Sequence, residues 1–170
     1  RLDISGLRAD QPLSGKFVDF FVLPKIRQTK IEEDNEPISI AEPNDCFLTF
    51  TTSGCLAVVI GAPGAGKSTW SKWLQRETLK ADWGGIGIRI EFRDLRVDEL
   101  PSIYDLVRKE AGKQLTEDLT IEKIRRWLDD WKLAFIFDGF DEIRPTDRNK
   151  FVEWIKEINE FAKDCPFVIT

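Results

Sequence analysis

The chain has 170 residues, 42% hydrophobic and 32% charged, which suits one globular domain and excludes a disordered or low-complexity polymer. Thirty acids against 25 bases leave a formal charge of −5, so no net cationic field draws it to nucleic acid or anionic lipid, and no direct contact with either is expected. Histidine is absent, which excludes His-based triads, imidazole general bases and most zinc sites.

Residues 1–45 differ from the rest and read as a linker or entry segment. Phe17 to Leu23 could run extended until Pro24, and Glu32 to Pro37 reads as a polar acidic loop. The chain opens on Arg1 and closes within the apolar run Phe167-Val168-Ile169-Thr170, so residues 46–170 are expected to be an incomplete piece of a larger domain. No apolar run approaches the roughly 20 residues of a membrane helix. Cys46, Cys55 and Cys165 form no CxxC pair and read as reduced, buried thiols of a cytoplasmic protein.

From Cys46 onward, strands and helices alternate. Leu56 to Ile60 is a continuous apolar run, as expected of a strand covered on both faces. A helix is predicted from Ser68 to about Leu79, with Trp70, Trp73 and Leu74 on one side. Ile86 to Phe92 is β-branched and reads as the next strand. Ile103, Leu106, Val107 and Ala111 are in register for a helix over 102–114. Ile121, Ile124, Leu128 and Trp131 do the same for a helix after Thr120. Leu133 to Phe137 is a buried strand. Asp147 caps a helix with the stripe Phe151, Trp154, Ile155, Ile158 and Phe161, and a last strand starts at Pro166. Such alternation implies a three-layer α/β domain on a parallel sheet. Five of the six tryptophans fall on predicted helices, where they read as core or partner-facing residues.

Gly61-Ala62-Pro63-Gly64-Ala65-Gly66-Lys67-Ser68, followed by Thr69, fits GxxxxGK[ST], the P-loop or Walker A pattern. A triphosphate needs inward-pointing backbone N–H groups around a tight turn, and Gly61, Gly64 and Gly66 let the backbone wrap closely. Lys67 would bridge the β- and γ-phosphates, Ser68 would ligate Mg²⁺, and the helix would aim its positive end at the anion. At average composition, with Gly about 7%, a chance match in a chain of this length arises on the order of once in a hundred.

Leu133 to Phe137 runs into Asp138, the Walker B pattern, and that carboxylate would hold Mg²⁺ through a water, opposite Ser68. Asp141 and Glu142 follow just past the strand end, and either could orient or deprotonate an attacking water; the sequence does not choose between them. Ile86 to Phe92 lies between the two motif strands in sequence. That order is compatible with an extra strand between them in the sheet, the arrangement of P-loop enzymes that supply their own catalytic acid.

GAPGAGKST, RIEFRDL and LAFIFDGFDEI together resemble the NACHT nucleotide-binding domain of the signal-transducing (STAND) P-loop ATPases, which include NOD-like receptors and bacterial anti-phage proteins. The resemblance covers roughly Cys46 to Thr170. Its most specific feature is the small residue Gly139 after the magnesium aspartate, with two acids at a short offset. It implies ATP or ADP with Mg²⁺, held by residues 61–69 and Asp138, with Lys67, Asp141 and Glu142 as catalytic groups. Arg93 looks like the Arg that ends the family's second strand. The family's sensor Arg would follow Thr170, and its adenine pocket draws on a segment matching Val22 to Ile26. The resemblance further implies a slow ATPase switch in innate immune or anti-phage defence: nucleotide exchange, coupled to helical, winged-helix and sensor domains outside these residues, licenses homo-oligomerisation. A nucleotide-binding scaffold with little hydrolysis, or an AAA+-like ATPase, are the alternatives.

Overall fold

The computed structural model describes residues 26–27, 40–41, 56–80, 85–113 and 119–170. Strands β1 (Ile26–Arg27) and β2 (Ile40–Ala41) pair antiparallel, with Ile26 opposite Ala41. The principal sheet holds β3 (Leu56–Val58), β4 (Ile86–Glu91), β5 (Leu133–Asp138) and β6 (Phe167–Ile169). They are parallel and lie in the order β3-β6-β5-β4. The helices are α1 (Lys67–Lys80), α2 (Ile103–Ala111), α3 (Ile121–Asp129) and α4 (Arg148–Phe161).

At β5 the sheet is covered on both faces, which is why this strand can be apolar without alternation and has all six residues buried. On one face, Trp70 and Leu74 of α1 pack against Ala134, Ile136 and Val168. On the other, Phe135, Phe137 and Phe167 meet α2, α3 and α4 through Leu106, Ile124, Trp154 and Ile158. The Phe135 and Phe167 rings stack at 5.0 Å, and Trp154 stands edge-on to Phe137 at 5.7 Å. The Trp154 indole donates to the Pro101 carbonyl, so its buried N–H has a partner.

Helix starts follow local chemistry. The Ser102 and Thr120 hydroxyls accept from the amides of Asp105 and Lys123 at the entrances of α2 and α3. Asp147 occupies the equivalent position of α4, yet its carboxylate takes the Arg144 guanidinium at 2.8 Å and makes no capping bond. Among the described residues, no helix is long and apolar enough to cross a membrane.

Four expectations change. The strand after Cys55 is not covered on both faces: Leu56, Val58 and Ile60 are exposed. Leu56 and Val58 sit beside Phe167 and Ile169, on the face where α2–α4 cover β4 to β6, whereas Ala57 and Val59 face α1. The interposed strand is the last one, β6, and Ile86–Glu91 lies at the opposite end of the order from β3. Trp131 does not continue the α3 stripe: the helix ends at Asp129 and Trp131 turns left-handed at φ 55°. Phe161, the last residue of α4, is exposed past the edge of the core. The expectations for Phe17 to Leu23, Val22 to Lys25, Glu32 to Pro37, Cys46 and Cys55 fall outside the described residues.

Candidate functional site

The loop from Gly61 to Gly66 joins the end of β3 to α1. Gly64 and Gly66 adopt φ 77° and 89°, which L side chains rarely take, so the turn uses glycine where the sequence supplies it. Ala65 N–H donates to the Ala62 carbonyl at 3.0 Å and closes the turn. The Trp70 N–H donates to the Gly66 carbonyl, which starts the helical ladder. The first amides of α1, from Lys67 to Thr69, therefore have no intrahelical acceptor and point their positive end at the loop. Ala62 to Ala65 are exposed, so the outer wall of the turn is open to solvent.

Lys67 does not extend freely into that opening. Its ammonium donates to the Gly61 carbonyl at 2.9 Å and pairs with the Asp141 carboxylate at 3.0 Å. One of the two acids past β5 is thereby brought to the loop. Glu142 instead lines an open cleft of about 320 Å³ with Arg93, Arg144 and Phe151. Gly139 turns the chain out of β5 at φ 84°, which sends Asp141 towards the loop.

Asp138 lies at the end of β5 and is almost fully buried. Oδ1 accepts from the Thr170 hydroxyl at 2.7 Å, and Oδ2 accepts from the Arg89 guanidinium. The Ser68 side chain stands near the same carboxylate and helps to lower it. Burial pushes this carboxyl up, but Thr170 and the Arg89 charge outweigh burial and hold it below the usual carboxylate range. Asp138 and Ser68, chosen from the sequence as metal ligands, are thus neighbours although 70 positions apart.

Arg89 and Thr170 are the site residues that sequence reasoning missed. Register explains the first. Glu91 of β4 and Asp138 of β5 are paired positions, so two carboxylates sit side by side on the α1 face. Arg89, two residues before Glu91, shares that face and spans both acids. Its guanidinium donates to Glu91 Oε1 at 2.5 Å, to Asp138, and through Nε to the Ser71 hydroxyl at 2.8 Å. Arg93 bonds the other oxygen of Glu91 from outside. A charge between Ile88 and Ile90 in a buried strand was the available signal.

The arrangement can accept an anion at the loop and a hard cation beside Ser68 and Asp138. Among the described residues no cluster of three or more Asp, Glu, His or Cys forms a self-sufficient metal site. One carboxylate and one hydroxyl fit magnesium, which keeps waters and draws further oxygens from phosphate. A scan against protein-family models matches none, and searches of the curated proteins and of the solved structures return no match.

Proposed function

We propose that the chain binds ATP or ADP with Mg²⁺ at the Gly61–Thr69 loop and hydrolyses ATP slowly, as a signalling switch of NACHT type. The observation that carries this reading is a loop with two left-handed glycines running into α1, against which the Lys67–Asp141 pair at 3.0 Å brings the acidic end of β5. Loop amides and Lys67 would hold the phosphates, Ser68 and Asp138 the metal, and Asp141 or Glu142 would orient water. When bound, magnesium would offset phosphate charge. The choice of ATP over GTP, the defence role and nucleotide-driven homo-oligomerisation rest on the NACHT resemblance.

One contact favours a second reading, a scaffold with little turnover. Lys67 and Asp141 already neutralise each other at 3.0 Å, so the acid nearest the loop is occupied. The two readings separate on variants. Lys67→Ala removes a charge-assisted bond worth about 1.5–3 kcal/mol, a loss of tenfold or more in ATP affinity by calorimetry. Unchanged affinity would defeat the cradle assignment. Asp141→Asn and Glu142→Gln should keep ATP and slow its turnover. If both match a measurable parental rate, neither acid activates water; if the parent has no turnover, the scaffold reading holds.

A further inference from the structure

We infer that Arg89 is a resident counter-ion for Asp138 that sets how much magnesium the site needs, and that Glu91 holds the guanidinium once Asp138 has gone over to the metal. This rests on the nucleotide reading above and concerns regulation of the same site.

A buried carboxylate at the end of β5 requires a cation when no metal is there, because an unpaired buried charge is strongly unfavourable. Arg89 supplies that cation. It is nearly as buried as Asp138, and its planar fork reaches Asp138 with one nitrogen and Glu91 with the other. Its Nε is fixed by Ser71, one turn of α1 beyond Ser68, so the guanidinium is anchored to the helix that carries the other metal-binding candidate.

A divalent cation beside Asp138 would meet this guanidinium as a like charge. The two compete for one carboxylate, and Arg89 has another in Glu91, the paired position on β4. Desolvation pushes the Glu91 carboxyl up, but the hydrogen bond and charge of Arg89 and the charges of Arg93 and Lys72 together outweigh it and hold it below the usual carboxylate range. It is therefore ionised and can keep Arg89 neutralised after Asp138 is lost. Arg93, which shares Glu91 from the exposed side, can yield to solvent. Arg89 and Glu91 also line an open cleft of about 380 Å³ between α1 and α2, which Asp138 does not border.

The two residues give opposite predictions. Arg89→Met removes the competitor, so the Mg²⁺ concentration at half-maximal binding of mant-ADP should fall about tenfold or more. Glu91→Gln removes the alternative acceptor and leaves Arg89 on Asp138, so that midpoint should rise. Arg89→Lys keeps the charge but loses the fork that spans both acids, so its midpoint should fall between those of Arg89→Met and the parent. Fluorescence anisotropy across a MgCl₂ titration, with an EDTA control for metal-free affinity, reads all three. Thermal melts identify any variant that fails to fold, and Glu91→Gln decides the matter if Arg89→Met does. A purely structural Arg89 would lower the melting temperature and leave the Mg²⁺ midpoint in place, which would overturn the inference. A parent chain that ignores mant-ADP at every Mg²⁺ concentration would instead overturn the nucleotide reading, and this one with it.

Discussion

Thr170→Val tests the electrostatics of the buried carboxylate more sharply than substitution of the carboxylate itself. The side chain is 5% exposed. Its hydroxyl donates to Asp138 Oδ1 at 2.7 Å and accepts from the Gly139 N–H at 3.3 Å. Valine keeps the shape and loses both bonds. A hydrogen bond to a buried charge contributes about 1.5–3 kcal/mol, which for a chain of this length corresponds to a melting temperature lower by about 4–10 °C. The pH dependence carries the mechanism. Burial raises the Asp138 carboxyl, and the Thr170 hydroxyl is the foremost of the groups that bring it back below its ordinary value. A depressed carboxyl contributes stability that is complete above the ordinary carboxylate range and is lost as pH falls through the folded value. The deficit of Thr170→Val should therefore be full near neutral pH and shrink in acid, where Asp138 is protonated in both proteins. Urea unfolding followed by circular dichroism at a series of pH values from 7 to 3 measures it. A deficit that is constant across that range, or below about 0.5 kcal/mol at neutrality, would refute the assignment.

Gly87→Ala should destabilise the chain by about 1–3 kcal/mol, because its new Cβ would lie 2.6 Å from Thr78 Oγ1 and 3.1 Å from the Gln75 backbone, wedging α1 off β4; an unchanged urea midpoint would show that α1 does not seat there. Burial pushes the Cys165 thiol from 9.0 up to about 12, so the folded chain keeps a proton that the unfolded chain releases. Stability should then decline from pH 9 towards 12, by up to about 4 kcal/mol from this group. Cys165→Ala should flatten that decline in alkaline urea titrations, and an identical slope would place the cause elsewhere.

Much of the fold was readable because it depends on short-range pattern. Ile103, Leu106, Val107 and Ala111 lie on one helix face whatever else the chain does, and all four are buried in α2. The polar positions Ser102 and Thr120 announce helix starts by their own chemistry. Burial of a strand is different, because it depends on which element lies above it. Leu56 and Val58 have the same apolar character as Ile88 and Ile90, yet the first pair is exposed and the second is covered. Strand order is likewise decided by long-range packing, so the sequence allowed an interposed strand without saying that Phe167–Ile169 would be it. The site follows the same division. Lys67, Ser68 and Asp138 carry local signatures in a loop and a strand end. The partners of Asp138 are 49 residues upstream and 32 downstream, and only the sheet register brings Arg89 and Thr170 to it.

That register also explains why this carboxylate, among three acids within five residues, is the one fixed in place. Asp141 and Glu142 lie beyond the sheet and are exposed. Asp138 ends a strand flanked on both sides, and each flank claims one oxygen: Thr170, just past β6, takes Oδ1, while Arg89 of β4 takes Oδ2. Backbone bonds hold the β6 side firm, with Val59 N–H donating to Ile169 O, Thr170 N–H to Phe137 O and Phe140 N–H to Thr170 O. If β5 lay directly beside β3, the Thr170 hydroxyl would lose its place between them, and Asp138 would stand about one strand spacing, near 4.8 Å, closer to the loop. With β6 inserted between β3 and β5, the carboxylate is pinned from both neighbours, one oxygen to each.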